Sequence, residues 1–180
     1  HRAVFPMKVK PMREVLEEFL REGSRYDYGL EAGSKAELYA ALSMPQSSDG
    51  LLLCNGFKDA AFMELALMGR MIGKNVIITL EKLSELKTAL EVADRLGVRP
   101  AFGIRAKLYS KGSGKWEESG GESSKFGLTT SEMLEVLRYL GDRDMLDTLK
   151  VLHFHIGSQI TDIKRIKNAM KEAARVYAKI

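Results

Sequence analysis

Six polar positions stand out in this chain: Lys8, Glu31, Asn55, the stretch 79–81 ending in Glu81, Arg105 and His155. The first five follow one another about every 24 residues, and each of the six stands near the end of a short apolar run. A lysine amine is a nucleophile toward carbonyl compounds only when neutral, a state that burial or a neighbouring cation favours. Lys8 lies in the apolar run 3–9, which predicts a buried amine; a lysine at a strand end can equally extend to solvent and keep its charge. Arg105 brings a permanent charge and a fork of donors suited to oxyanions, and its alternative is an ion pair with Glu31. Glu31 is either an acid of a site or only the polar end of a strand. Asn55 precedes Gly56, so a turn competes with a role in chemistry. His155 alone, within Val-Leu-His-Phe-His-Ile, reads as a core histidine. Gly157 and Ser158 behind it change that reading, because a small residue and a hydroxyl at a strand end suit close approach to a phosphate.

The elements that must position these residues are β-α units. Apolar runs at 3–9, 26–33, 51–53, 76–80, 101–106 and 151–156 alternate with segments of helical period at 12–21, 34–42, 58–72, 84–96 and 131–140, and a last one begins near 162. That is the pattern of a parallel sheet flanked by helices. On 12–21, Val15, Leu16, Phe19 and Leu20 share a face. Gly23, Gly73 and Gly97 stand where helices should end, and Ser34 with Glu37 predicts a capping box. Met63, Met68 and Met71 read as helix packing. A (β/α)8 barrel gathers its strand carboxyl ends around one mouth, whereas a doubly wound sheet binds ligands only where its strand order reverses. Successive polar strand ends therefore favour an α/β fold of the TIM-like (β/α)8 kind, with about six of eight units present. Residues 108–124, rich in Gly, Ser and Lys, break the rhythm and read as a functional loop inserted in the fifth unit. Gly112-Ser113-Gly114-Lys115 within it lacks the spacing of a P-loop, which argues against nucleotide hydrolysis.

Bulk properties narrow the classes further. The 28 basic and 24 acidic residues are intermixed along the helical segments, with no basic stripe and no interleaved stacking aromatics. Nucleic acid is therefore not expected as a partner. No apolar run approaches the roughly 18 residues needed to cross a bilayer, so no membrane is expected either. Cys54, the single cysteine, cannot close an internal disulfide and reads as a small buried residue, which fits the reducing interior of the cytoplasm or a plastid. The chain opens at His1 and stops within a helical pattern at Ile180. It reads as a fragment, an incomplete barrel domain over 1–180, because an open six-stranded arc leaves unpaired edges.

Five strings carry a resemblance to known families. Phe5-Pro6-Met7-Lys8-Val9-Lys10 resembles the lysine-bearing strand of the alanine-racemase-like, fold-type III pyridoxal-phosphate enzymes. Leu30-Glu31-Ala32-Gly33-Ser34-Lys35-Ala36-Glu37-Leu38, Cys54-Asn55-Gly56-Phe57-Lys58-Asp59 and Leu152-His153-Phe154-His155-Ile156-Gly157-Ser158-Gln159 resemble the narrower pattern of the biosynthetic, plant and bacterial type arginine decarboxylases. So does the insert, from Arg105-Ala106-Lys107-Leu108 to Ser124-Lys125-Phe126-Gly127-Leu128. Together the strings cover nearly the whole chain.

The resemblance implies that Lys8 holds pyridoxal 5'-phosphate covalently and helps in proton delivery and product release. It places His155 against the face of the pyridine ring as a catalytic residue, Ser158 on the phosphate, Arg105 near the ring hydroxyl and Glu31 close to the lysine and ring. Lys125 matches a position at the subunit interface. The main phosphate cradle, the acidic partner of the ring nitrogen, the substrate-side acids, a cysteine from the partner subunit and a C-terminal β domain are expected beyond Ile180, so this span alone is expected to be inactive. The implied reaction is decarboxylation of L-arginine to agmatine and carbon dioxide for polyamine (putrescine and spermidine) synthesis, by a carboxy-lyase that forms homo-oligomers with sites between subunits. Ornithine, carboxynorspermidine or diaminopimelate is the alternative substrate, and the long insert favours arginine. A non-catalytic carrier of the cofactor is a third reading, against which the insert speaks. Magnesium is implied by the family alone; the sequence shows no recognisable cluster of metal ligands.

Overall fold

The computed structural model describes residues 3–108, 126–157 and 160–180. Strands and helices alternate along them: β1 (Val4–Pro6), α1 (Arg13–Gly23), β2 (Gly29–Ala32), α2 (Lys35–Ser43), β3 (Leu51–Cys54), α3 (Ala60–Met71), β4 (Asn75–Leu80), α4 (Leu83–Leu96), β5 (Phe102–Arg105), α5 (Thr130–Gly141), β6 (Leu149–His153) and α6 (Ile163–Tyr177). The strands form one parallel sheet in the order β1-β2-β3-β4-β5-β6. That order contains no reversal and so no switch point. It separates this α/β fold from a doubly wound sheet and matches consecutive units of a (β/α)8 barrel.

Local signals account for most boundaries. Ser34 caps α2 by accepting from the backbone N–H of Glu37 at 3.3 Å, while the Glu37 carboxylate reaches the N–H of Gly33 at 2.7 Å, one residue earlier than in a full capping box. A complete box stands instead at α5, where Thr129 Oγ1 accepts from Glu132 N and Thr129 N donates to Glu132 Oε2. Asp59 caps α3 through the N–H of Phe62 and also accepts from Lys35 Nζ at 2.7 Å. The lysine first, and then the capped N–H, hold the Asp59 carboxyl below the usual carboxylate range. Four strands, β1, β2, β5 and β6, are shorter than the apolar runs 3–9, 26–33, 101–106 and 151–156 that predict them. The run 26–33 gives only Gly29–Ala32, because the chain is still in a 3-10 turn (Ser24–Tyr26) that ends in a left-handed Asp27, not at Gly23.

The chain divides into two compact units, His1–Thr79 with Ser84–Phe102 and Leu80–Leu83 with Gly103–Ile180. In the first, the pairings Leu30↔Leu52↔Val76 and Ala32↔Cys54↔Ile78 set six fully buried side chains on one face of the sheet. Leu16, Leu38, Phe62, Leu67 and Leu86 supply the helical side of this unit's core, each worth roughly 1.5–3 kcal/mol when fully buried. Because side chains alternate along a strand, the opposite face carries Glu31, Leu53, Ile77 and Thr79. Met63 is buried, as expected of helix packing, but Met68 and Met71 are exposed. They fall off the face of α3 that Phe62, Met63, Ala66 and Leu67 share.

In the second unit, Ala106 N donates to His153 O at 2.8 Å and joins β5 to β6, while Leu128 returns beside β5 through a parallel bridge to Ala106. Its buried apolar residues include Ile104, Leu128, Met133, Val136, Leu140, Ala169 and Ala173. Among the described residues of both units, no helix is long and apolar enough to cross a membrane.

Candidate active site

In the first unit, the carboxyl ends of β1 to β4 carry Lys8, Glu31, Asn55 and Thr79. β1 stops at Pro6, whose nitrogen has no hydrogen to donate to a ladder, and the chain enters a 3-10 turn, Met7–Val9. Met7 takes the inward position of that turn and is buried, and Lys8 takes the outward one and is exposed. The buried amine expected from the apolar run is thus replaced by an accessible one. Pro6 stands beside Glu31 in the register, and Glu31 beside Leu53; Glu31 is half-buried.

Asn55 donates its backbone N–H to Ala32 O and leads into Gly56, which has φ of +79°. A Cβ at Gly56 would stand 2.8 Å from the carbonyl oxygen of Gly33, so the turn after β3 closes against the turn after β2 only with glycine. The Asn-Gly turn reading is therefore met. Asn55 Oδ1 and Thr79 Oγ1 are buried polar atoms without a hydrogen-bond partner, each at an expected cost of about 1–3 kcal/mol. Both are closed to solvent, so neither touches a ligand directly as the side chains stand.

The most deeply buried ion pair among the described residues of this unit has no clear signature in the sequence. Lys58 Nζ lies 3.2 Å from Glu85 Oε2, with the two side chains 0 % and 3 % exposed. Lys58 Nζ also donates to Gly56 O, and Lys58 N donates to Glu85 Oε1. A fully buried charge of each sign thereby pins the Asn55–Gly56 turn to α4. The only available signal was a lysine and a glutamate in the first turns of successive helical segments, a pattern that ordinarily means solvated surface. Cys54, next to this pair, is fully buried, and desolvation pushes its thiol up to about 12, with Lys58 opposing weakly. At pH 8 it is a thiol. We expect native protein to resist iodoacetamide at Cys54 and urea-unfolded protein to be alkylated; rapid labelling of the native form, read by mass spectrometry, would contradict the buried placement.

In the second unit the corresponding residues are Glu81, Arg105 and His155. Arg105 Nη1 lies 3.0 Å from Glu81 Oε1, with the arginine side chain 16 % exposed and the glutamate side chain 0 %. Strand-end spacing offered Glu31 as the partner; the ion pair present is with Glu81. The segment from Phe126 to Leu128 folds over the same two residues: the Phe126 ring centroid is 5.7 Å from the Arg105 guanidinium carbon, Gly127 N donates to Glu81 O, and Leu128 N donates to Arg105 O. His155 is exposed two residues beyond β6, while His153 lies half-buried within it. Ser158, Lys125 and residues 109–124 of the insert lie outside the described residues.

Each unit carries groups suited to a phosphorylated, aromatic carbonyl compound: in the first the accessible amine of Lys8 can bond a carbonyl covalently, and in the second the guanidinium of Arg105, its side chain 16 % exposed, can face an oxyanion and the exposed imidazole of His155 can lie on a ring. Among the described residues no group of three His, Cys, Asp or Glu could hold a metal ion, so no step is assigned to one.

Known proteins bear on this arrangement directly. Residues 1–180 match the family model described as pyridoxal-dependent decarboxylase, pyridoxal binding domain. The biosynthetic arginine decarboxylase of Deinococcus radiodurans is 54% identical over 178 residues, 99% of this chain and 27% of that protein. That of Phocaeicola vulgatus is 51% identical over 177 residues, 98% of this chain and 28% of the relative. The crystal structure of the biosynthetic arginine decarboxylase SpeA from Campylobacter jejuni superimposes with a TM-score of 0.87 at 34% identity, over 99% of this chain and 28% of that one. The chain thus spans little more than a quarter of the length of these relatives. With every residue inside the family match and the sheet order of its barrel present, this chain belongs to the pyridoxal-dependent decarboxylases, as their pyridoxal-binding domain.

Proposed function

We propose that the full-length protein decarboxylates L-arginine to agmatine and carbon dioxide, with pyridoxal 5'-phosphate as cofactor, in the cytoplasmic synthesis of polyamines. The observation that carries this reading is identity of about half, across nearly the whole chain, to proteins named biosynthetic arginine decarboxylase. In the same proposal 1–180 is one incomplete barrel domain, followed by the remaining units and a β domain, and the protein is a homo-oligomer with sites between subunits.

The cofactor, when bound, supplies the carbonyl that condenses with an amine and the electron sink that takes up the pair left when a carboxylate departs. The chain does the rest. Lys8 would hold the cofactor through its exposed amine and could return a proton from Nζ. Arg105 would offer N–H donors to the ring oxygen, and its fixed charge would favour the anionic form there. His155 would lie on the ring face and limit its motion, Ser158 would donate to the phosphate, and Glu31 would supply a negative charge near lysine and ring. Magnesium dependence remains part of the family expectation, and added chelator tests it.

The substrate assignment is tested by release of carbon dioxide from carboxyl-labelled arginine, ornithine and diaminopimelate in parallel. Arginine is expected to be turned over with the highest kcat/KM. Preference for either competitor would overturn the assignment while leaving the family intact.

A further inference from the structure

We propose that Glu81 is a positioning residue for Arg105, holding its guanidinium from behind so that its reachable side meets the anionic oxygen of the cofactor. This deepens the functional reading above and rests on it. The geometry has three parts, all in one compact unit. Glu81 follows the last residue of β4, and its side chain is wholly buried. A carboxylate in that place cannot draw on water, and its Oε1 accepts from Arg105 Nη1 at 3.0 Å. The arginine keeps 16 % exposure, so the pair has a closed end and an open end: the carboxylate lies inside and the guanidinium outside. The third part is the return segment. Gly127 N donates to Glu81 O at 3.1 Å and Leu128 N to Arg105 O at 2.7 Å, while Phe126 sets its ring over the guanidinium. Gly127 has φ of +101°, and a Cβ there would come within 3.2 Å of Arg105 O, so the segment approaches this closely only with glycine.

The consequence is rigidity at a long side chain. Arginine carries several rotatable bonds, and without a partner behind it the guanidinium samples orientations that miss the oxyanion. Glu81 reduces that sampling before any ligand arrives, which is preorganisation at an exposed cation by a buried anion. Glu81 itself does not touch the cofactor in this proposal.

The test uses the full-length protein freed of cofactor, with pyridoxal 5'-phosphate affinity read by fluorescence quenching and folding read by ellipticity. Glu81→Gln is expected to weaken cofactor binding about tenfold or more, in the range of coupling for contacting charged groups. Glu81→Asp, which keeps the charge, is expected to recover most of that affinity. In an Arg105→Gln background, Glu81→Gln is expected to add little, since there is no guanidinium left to position. Full additivity of the two substitutions would overturn the proposal, and so would unchanged affinity in Glu81→Gln while Arg105→Gln loses it. If Arg105→Gln itself binds cofactor normally, the role of Arg105 fails first. Should Glu81→Gln not fold, a folded Glu81→Ala carries the test: it must lower affinity in wild type by more than it does in the Arg105→Gln background, and equal falls would overturn the proposal.

Discussion

Lys8→Ala in the full-length protein is expected to abolish covalent attachment of the cofactor and to lower turnover by about 10²–10⁴-fold from lost proton transfer alone. The substitution is a clean one because Lys8 is exposed, in a short turn beyond β1, and the core contact of that turn belongs to Met7. Stability should change by no more than about 0.5 kcal/mol, the usual range for a surface position without special partners. Loss of function would then not be loss of fold. Borohydride reduction followed by peptide mapping gives the readout: a pyridoxyl group on the peptide containing Lys8 in wild type, and none in the variant. A label on any other lysine in wild type would sink the assignment of Lys8.

The second large effect concerns folding. Lys58→Met is expected to destabilise the protein by about 3–5 kcal/mol, because it leaves the Glu85 carboxylate buried without its cation. It also removes the donor to Gly56 O, which loosens the turn that carries Asn55. The double variant Lys58→Met with Glu85→Leu should regain most of the loss, since a buried ion pair replaced by apolar groups of similar volume is often neutral or better. Urea unfolding midpoints of the three proteins measure this. A single variant within 1 kcal/mol of wild type, a margin set by ordinary surface changes, would mean that the pair is not buried in solution. If the double variant is stable, the pair's purpose is placement of the turn, and cofactor affinity in that variant reports how much the placement matters.

The strand-end placement of the candidate residues was legible from their spacing. Lys8, Asn55, Arg105 and His155 all fall at or just past strand ends, as their recurrence predicted, because each β-α unit has similar length and strand-end polarity is a local property. Asn55-Gly56 behaves as a turn, and its polar atom is shut away, which weakens its candidacy as a ligand contact. The exposure of Lys8 departs from the expected burial for an identifiable reason. The apolar run 3–9 continues past Pro6, yet Pro6 ends the strand, and beyond it the alternation of inward and outward positions no longer follows the strand period. The complete capping box forms at Thr129, whose Thr-x-x-Glu pattern is in the sequence, whereas the Ser34 pattern closes only in part.

By itself the sequence determined the alternation of strands and helices, the parallel α/β class, and the positions at which polar groups meet strand ends. Periodicity, helix caps and turn residues are properties of a few neighbouring residues, so a linear reading suffices for them. Tertiary structure alone decided which charges meet. Arg105 pairs with Glu81 across 24 residues and Lys58 with Glu85 across 27, and in both cases the choice depends on the register of adjacent units and on which face a side chain takes. A register shift of one residue moves a side chain to the other face of the sheet, so composition and spacing cannot select these partners, whereas the folded chain brings each pair within 3.2 Å.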